Sequence, residues 1–260
     1  MLQRFIIGGL LSLFIGFVSY KKKSLTLSGF IAAFFTGTLL YMFGDYVVYI
    51  PLISFFLSSS ILSKFKPNKE EPNGRNFIQV FANSGVALVF TVIYYLTTNS
   101  IFLVVAITSI AASTADTWGS EIGSLTKGQT YSILTLKKMS KGLSGAVSVG
   151  GTLASFMGAL MIAVIFNLLY LISSKESILL LLEMGMVITL SGFLGSVLDS
   201  YLGIFLQAKY KDIKTGILRD YKIYTTDILV SGIKFITNDM VNLLMVIIIS
   251  VGTYLILLIT

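Results

Sequence analysis

Neither cysteine nor histidine occurs anywhere in the 260 residues. Without cysteine there is no disulfide, no thiolate metal site and no thiol nucleophile, and the redox compartment stays open. Without histidine there is no imidazole base, no Ser-His-Asp triad and no His-ligated zinc centre. A metal site in this chain is therefore built from oxygen ligands, a donor set that suits magnesium. Charge is scarce too. Only 12% of residues are Asp, Glu, Lys or Arg, about half of what a soluble domain carries. No G-x-x-x-x-G-K-[ST] run occurs, so there is no Walker A loop.

What fills the chain is apolar residues, 55% of the total, with mean hydropathy +0.88. The reading is an all-α, polytopic membrane helix bundle, with residues 1–260 as a single integral membrane domain. Eight apolar segments are expected, at 4–20, 25–44, 46–63, 77–97, 101–118, 144–172, 177–199 and 238–259. Several lie near the lower length limit, which leaves six or seven as the alternative count. No secretory signal is expected, since the first segment lacks a small-residue cleavage site and further spans follow it.

Loop charge supports eight. Basic residues fall in four loops, Lys21–Lys23, Lys64–Arg75, Lys127–Lys141 and Lys209–Lys234, which hold 17 of the 19 Lys and Arg residues. Only Arg4 and Lys175 fall opposite. The positive-inside rule places those loops in the cytoplasm of a cell membrane and both termini outside. The net charge of +7 then faces anionic lipid rather than nucleic acid. Pro67 and Pro72 keep the loop 64–75 non-helical, and the polar segment 208–237 has room for a short surface helix.

Acids are few enough that their places matter. In "SIAASTADTWGSEIGSL", Asp116 and Glu121 flank the lone Trp118 at the inner end of the fifth segment. Asp199 stands at the inner end of the seventh, Asn238 and Asp239 open the eighth, and Asn83 lies about two turns into the fourth. Ser113-x-x-Asp116-Thr117-Trp118 is echoed by Ser196-x-x-Asp199-Ser200-Tyr201, which suggests a parallel internal repeat. One such carboxylate could simply face interfacial water. Four polar side chains at one depth point instead to a shared metal, a cation or one another.

Small residues recur at every fourth position, Gly150-Ala154-Gly158 and Gly195-Asp199-Gly203, as close helix packing requires. The turn "KGLSGAVSVGG" differs, because it precedes a helix entering from the basic side. Lys137, Lys141, Ser144, Gly145, Ser148 and Thr152 there are candidates for holding nucleotide phosphates at a helix N-terminus.

The segments "ASTADTWGSEIG" (112–123), "KGLSGAVSVGGTLASFMGA" (141–159), "GFLGSVLDSYLGIFLQ" (192–207), "FFLSSSILSKFK" (55–66), "RNFIQVFANSG" (75–85) and "NDMVNLL" (238–244) resemble the transmembrane protein 19 family, also called domain of unknown function 92. That family usually has Ala where this chain has Gly119. Its plant member is a phytyl-phosphate kinase. The resemblance implies an integral membrane kinase passing a phosphoryl group from a nucleoside triphosphate to an isoprenoid monophosphate. Asp116 and Asp199, aided by Asn83, Asp239 and Glu121, would hold magnesium. Lys64, Arg75, Lys137 and Lys141 would neutralise the transferred group. The prenyl tail would lie along the small-residue faces of the sixth and seventh segments. A phosphate acceptor is already an anion, so the missing histidine is tolerable. Two alternatives are a cation or small-solute transporter and a cytidylyltransferase acting on a lipid phosphate. The carboxylates' place at one surface, rather than at the midplane, counts against the transporter.

Overall fold

The computed structural model describes residues 1–65, 74–174 and 176–259. Lys66, Pro67, Lys69 and Pro72 of the first long loop, and Lys175, lie outside them.

Seven helices among the described residues are long and apolar enough to cross a membrane. They are α1 (Leu2–Lys21), α2 (Leu27–Leu62), α3 (Phe77–Thr97), α4 (Ser100–Leu125), α5 (Val149–Ser173), α6 (Ile178–Phe205) and α7 (Asn238–Ile259). Polar residues at the junctions start five of them. Thr26 accepts from Gly29 N, Asn99 from Ile101 N, Ser148 from Gly151 N and Ser177 from Leu180 N. Asn76 and Gln79 form a reciprocal capping box on α3, which satisfies two otherwise orphaned amides.

The second helix is in fact two. Asp45 breaks it with φ 56° and ψ −164°, a conformation costing a non-glycine residue about 1–3 kcal/mol. The Asp45 side chain compensates. Oδ1 accepts from Tyr46 N at 2.8 Å and Oδ2 pairs with Arg4 at 2.7 Å. Beyond the break the chain reverses, because both ends of α2 meet Arg75. Thr26 N donates to the Arg75 carbonyl at 3.0 Å, and the Arg75 guanidinium donates to Ser60 Oγ at 3.2 Å. A straight helix of 36 residues would hold its ends roughly 54 Å apart. The two arms supply the expected segments 25–44 and 46–63, so the chain makes eight traverses.

Basic loops gather at one end of the bundle. Ser24 bonds Arg75, Ser63 bonds Glu121, and Ser144 bonds Asp220. The Arg4–Asp45 pair and the Phe43–Tyr95 ring contact mark the opposite end. At the centre is α4, packed against α2, α3, α5, α6 and α7, with every residue from Leu103 to Ala115 buried. Glycine sets the approach. A Cβ on Gly195 would come within 2.7 Å of Ala112, one on Gly192 within 2.8 Å of Ala111, and one on Gly151 within 2.8 Å of the Gly119 carbonyl. Of the regularly spaced small residues, Gly195 makes such a contact, and a Cβ on Gly158 would come within 3.2 Å of the Thr114 carbonyl.

Two short sheets cap the basic end. One holds β1 (Thr130–Ser132), β2 (Lys138–Met139) and β3 (Ala146–Val147), in the order β2-β1-β3. The other holds β4 (Lys209–Lys211), β5 (Leu218–Arg219) and β6 (Ile228–Ser231), in the order β5-β4-β6. All pairings are antiparallel. The surface helix expected in 208–237 is therefore replaced by strands. The start of α5 moves from 144 to Val149 because Ala146 and Val147 join β3. Each unit runs helix, three strands with the first one central, helix. That shared order supports the internal repeat read from the Asp116 and Asp199 segments.

Candidate functional site

Asp116 and Asp199 face each other across the α4–α6 contact. Their carboxyl groups come within hydrogen-bonding reach, and each residue is half-buried. The helices that carry them, at 26 and 28 residues, are roughly 39 and 42 Å long. Both exceed an apolar core of about 30 Å. Neither aspartate belongs to a salt bridge among the described residues, where the two ion pairs are Arg4–Asp45 and Arg219–Asp212.

Asn242 completes the group. With its amide nitrogen turned toward α6, it donates to Asp199 Oδ1 at 3.1 Å and to the Asn238 carbonyl at 3.0 Å. This residue was absent from the sequence-derived set, which took Asp239 from the same turn. The signal available was its four-residue spacing from Asn238, which puts both on one helix face.

The wider set does not assemble as one cluster. No group of three acidic side chains suited to a metal occurs among the described residues. Helix α4 continues unbroken through Gly119 to Leu125, so Glu121 stays about 140° around the helix from Asp116. Glu121 Oε1 accepts from Ser63 Oγ at 3.1 Å, and Trp118 Nε1 donates to Ser58 Oγ at 3.1 Å, both toward α2. Asn83 turns its amide back to the Gln79 carbonyl at 2.7 Å. Its own carbonyl accepts from Ser113 Oγ at 3.2 Å, one turn from Asp116. Asp239 is half-buried in the first turn of α7.

Much of the expected phosphate turn is already engaged. Ser144 N and Oγ both donate to Asp220 Oδ2 at 2.7 Å, and Gln207 Oε1 lies 2.6 Å from the same hydroxyl. Lys209 donates to the Ser144 carbonyl at 3.3 Å. Burial pushes the Lys209 ammonium below its ordinary pKa, and the Asp220 carboxylate opposes that shift. Gly145 has φ +85°, and a Cβ there would strike Ile204. Ser148 caps α5 itself, and Thr152 is exposed. Lys141 donates to the Thr126 carbonyl. Lys137 and Lys64 are exposed, and Lys138 and Lys141 line an open depression beside Gly128–Thr130. An internal carboxylate thus takes the place expected for nucleotide phosphate at Ser144.

A bundle of membrane-length helices with a paired carboxylate at its basic end defines a multi-pass integral membrane protein with a polar site at that end. Residues 10–250 match the family described as "Integral membrane protein DUF92", and the chain belongs to that family. It is 32% identical to Protein PGR of Arabidopsis thaliana, covering 95% of this chain and 94% of that protein. It is 30% identical to an uncharacterized membrane protein of Methanocaldococcus jannaschii, over 82% of this chain and 85% of the other. Protein VTE6, chloroplastic, of Arabidopsis thaliana is 25% identical over 85% of this chain and 61% of its own length. No solved structure matches.

Proposed function

We propose that this protein is a membrane-embedded phosphotransferase acting on isoprenoid monophosphates. One observation carries the reading: two facing carboxylates, outside any salt bridge among the described residues, at the end of the bundle where the basic loops gather. The family resemblance to a phytyl-phosphate kinase supports it.

The donor set fits magnesium, which binds through one or two carboxylates and completes its shell with water and substrate phosphates. Asp116 and Asp199 would hold the ion, and Asn242 would orient Asp199. A bound magnesium would supply charge neutralisation on the donor phosphates. The chain's own residues provide position: α4 and α6 fix the two carboxylates, and the exposed Lys64, Lys137 and Lys138 draw in an anionic nucleotide. An oxygen of the acceptor monophosphate forms a bond to the terminal phosphorus of the nucleotide. The bond from that phosphorus to the bridging oxygen breaks, and a nucleoside diphosphate leaves with the electron pair. The products are the isoprenoid diphosphate and the nucleoside diphosphate. The basic loops, and so this site, face the cytoplasm.

Purified protein in detergent, given magnesium, a panel of prenyl monophosphates and CTP or ATP labelled in separate runs at the terminal phosphate and at the α-phosphate, is the test. Transfer of label into an organic-soluble diphosphate supports the proposal. Metal-dependent incorporation of a nucleoside monophosphate would establish cytidylyl transfer instead. No labelled lipid in either form contradicts both.

A further inference from the structure

The chain between α6 and α7 is tied down at the bilayer boundary. Helix α7 has 22 residues, roughly 33 Å, close to an apolar core of about 30 Å, so Asn238 starts it near that boundary. Ile233 N donates to the Leu206 carbonyl at 2.9 Å and Ala208 N to the Ile236 carbonyl at 3.0 Å, which closes both ends of the segment onto the end of α6. The β5-β4-β6 sheet hangs between these ties and keeps an apolar surface outside. Ile213, Ile217, Leu218, Ile228, Ile233 and Phe235 are all exposed, from 44% for Leu218 to 77% for Phe235. Register puts Leu218 and Ile228 on one face, both opposite Lys211, and Leu229 on the other face, opposite Tyr210. Charge is sorted as well. Of the acids in 208–237, Asp212 and Asp227 are buried and accept from backbone amides of their own turns, and Asp220 accepts from Ser144. Lys211, Lys214, Lys222 and Lys234 are exposed, and Lys234 Nζ lies over the Phe235 ring, 6.0 Å from its centroid.

We propose that this sheet rests on the anionic surface of its own leaflet. The Leu218–Ile228 face and Phe235 sit in the boundary between headgroups and acyl chains, and Lys211, Lys214, Lys222 and Lys234 lie against lipid phosphates. Continuity and charge select this occupant. Exposed apolar side chains in one patch mark an interaction surface, and the nearest apolar phase is the bilayer that α6 and α7 already cross. Lysine stems cover apolar surface while their ammonium groups reach the polar layer, where anionic lipid attracts each of them. With the acids turned inward, no exposed carboxylate of 208–237 opposes that attraction among Asp212 and Asp227. The Ser144–Asp220 bonds join this sheet to the other one, so the leaflet holds the whole cap. The assignment is independent of the phosphotransferase reading.

Spin labels at single cysteines test it, since the chain has no cysteine of its own. Full-length Leu218→Cys, Ile228→Cys and Leu229→Cys proteins are labelled and placed in nanodiscs of phosphatidylcholine with or without phosphatidylglycerol. Accessibility to oxygen, which concentrates among acyl chains, is compared with accessibility to a water-soluble nickel chelate. The three side chains are exposed, so the labelled proteins should stay monodisperse. With phosphatidylglycerol present, the oxygen-to-nickel ratio should be several-fold higher at 218 and 228 than at 229. Omitting phosphatidylglycerol, or combining Lys211→Gln, Lys214→Gln and Lys222→Gln, should lower the ratio at 218 and 228. Equal nickel access at all three positions would show a sheet standing in water, open to a soluble partner, and would overturn the proposal. Exclusion of both reagents with dipolar broadening between labels would put a second copy of the chain on this face and overturn it too. A high ratio that responds neither to lipid charge nor to the lysine variants would overturn the selection of anionic lipid.

Discussion

The backbone N–H and the hydroxyl of Ser144 both donate to Oδ2 of Asp220, each at 2.7 Å. This joins the turn before β3 to the loop after β5, so the two sheets are held as one cap. A hydrogen bond to a charged group contributes about 1.5–3 kcal/mol. Asp220→Ala should therefore lower the thermal stability of the cap by about that much. Hydrogen exchange should speed up in 130–147 as well as near residue 220. Faster exchange near 220 alone would show that the sheets are independent.

Gly119 meets Ser155 where α4 crosses α5. A Cβ on Gly119 would come within 2.1 Å of Ser155 Oγ, and that hydroxyl also bonds Ser196 Oγ at 2.9 Å. Gly119→Ala alone should destabilise by about 1–3 kcal/mol, the usual cost of overpacking. Ser155→Ala removes the obstructing oxygen and leaves its Cβ at 3.4 Å, so the double variant should recover most of the loss. A double-mutant cycle in detergent melts measures the coupling; additive losses would contradict the contact.

The reversal at Asp45 puts Lys23 and Lys64 on one side of the membrane. A single continuous α2 would put them on opposite sides. The cysteine-free chain allows a direct check with an impermeant thiol reagent. Lys23→Cys, Lys64→Cys and Lys138→Cys should label only after cells are opened, whereas Asn99→Cys should label in intact cells. Opposite behaviour of positions 23 and 64 would rule out the hairpin.

Asn242 and Asp239 separate two accounts of the site. The structure gives Asn242 the contact with Asp199, as a positioning residue. Asn242→Leu should reduce kcat for phosphate transfer about tenfold, the lower end of what losing a partner behind a metal ligand costs, and should raise the magnesium concentration needed for half-maximal rate. Asp239→Asn should do less. The reverse order would restore Asp239 as the third ligand.

These cases show what could be read from sequence. Length and hydropathy mark the traverses, and Lys and Arg placement separates the two ends, because both are averages over many residues. The expected segments 25–44 and 46–63 leave residue 45 between them, and the break falls there, at Asp45. The two sheets were not legible. Their strands have two to four residues among Lys, Gly and Thr, too short for any period to show. Nor could sequence rank Asn238, Asp239 and Asn242, since rotation of α7 decides which one meets Asp199. The Ser144 turn looked ready for phosphate because its N–H and hydroxyl were in view, while the Asp220 carboxylate that takes them lies 76 residues away.

The central claim is that the Asp116–Asp199 pair carries phosphate transfer. Its most direct test is the rate of labelled diphosphate formation by monodisperse Asp116→Asn and Asp199→Asn proteins, beside Glu183→Gln on the outer half of α6. Removing one preorganised charged group typically costs about 10²-fold or more. The account predicts a loss of at least that size for each aspartate variant and little change for Glu183→Gln. Full activity in a folded Asp116→Asn protein, or an equal loss in Glu183→Gln, would contradict it.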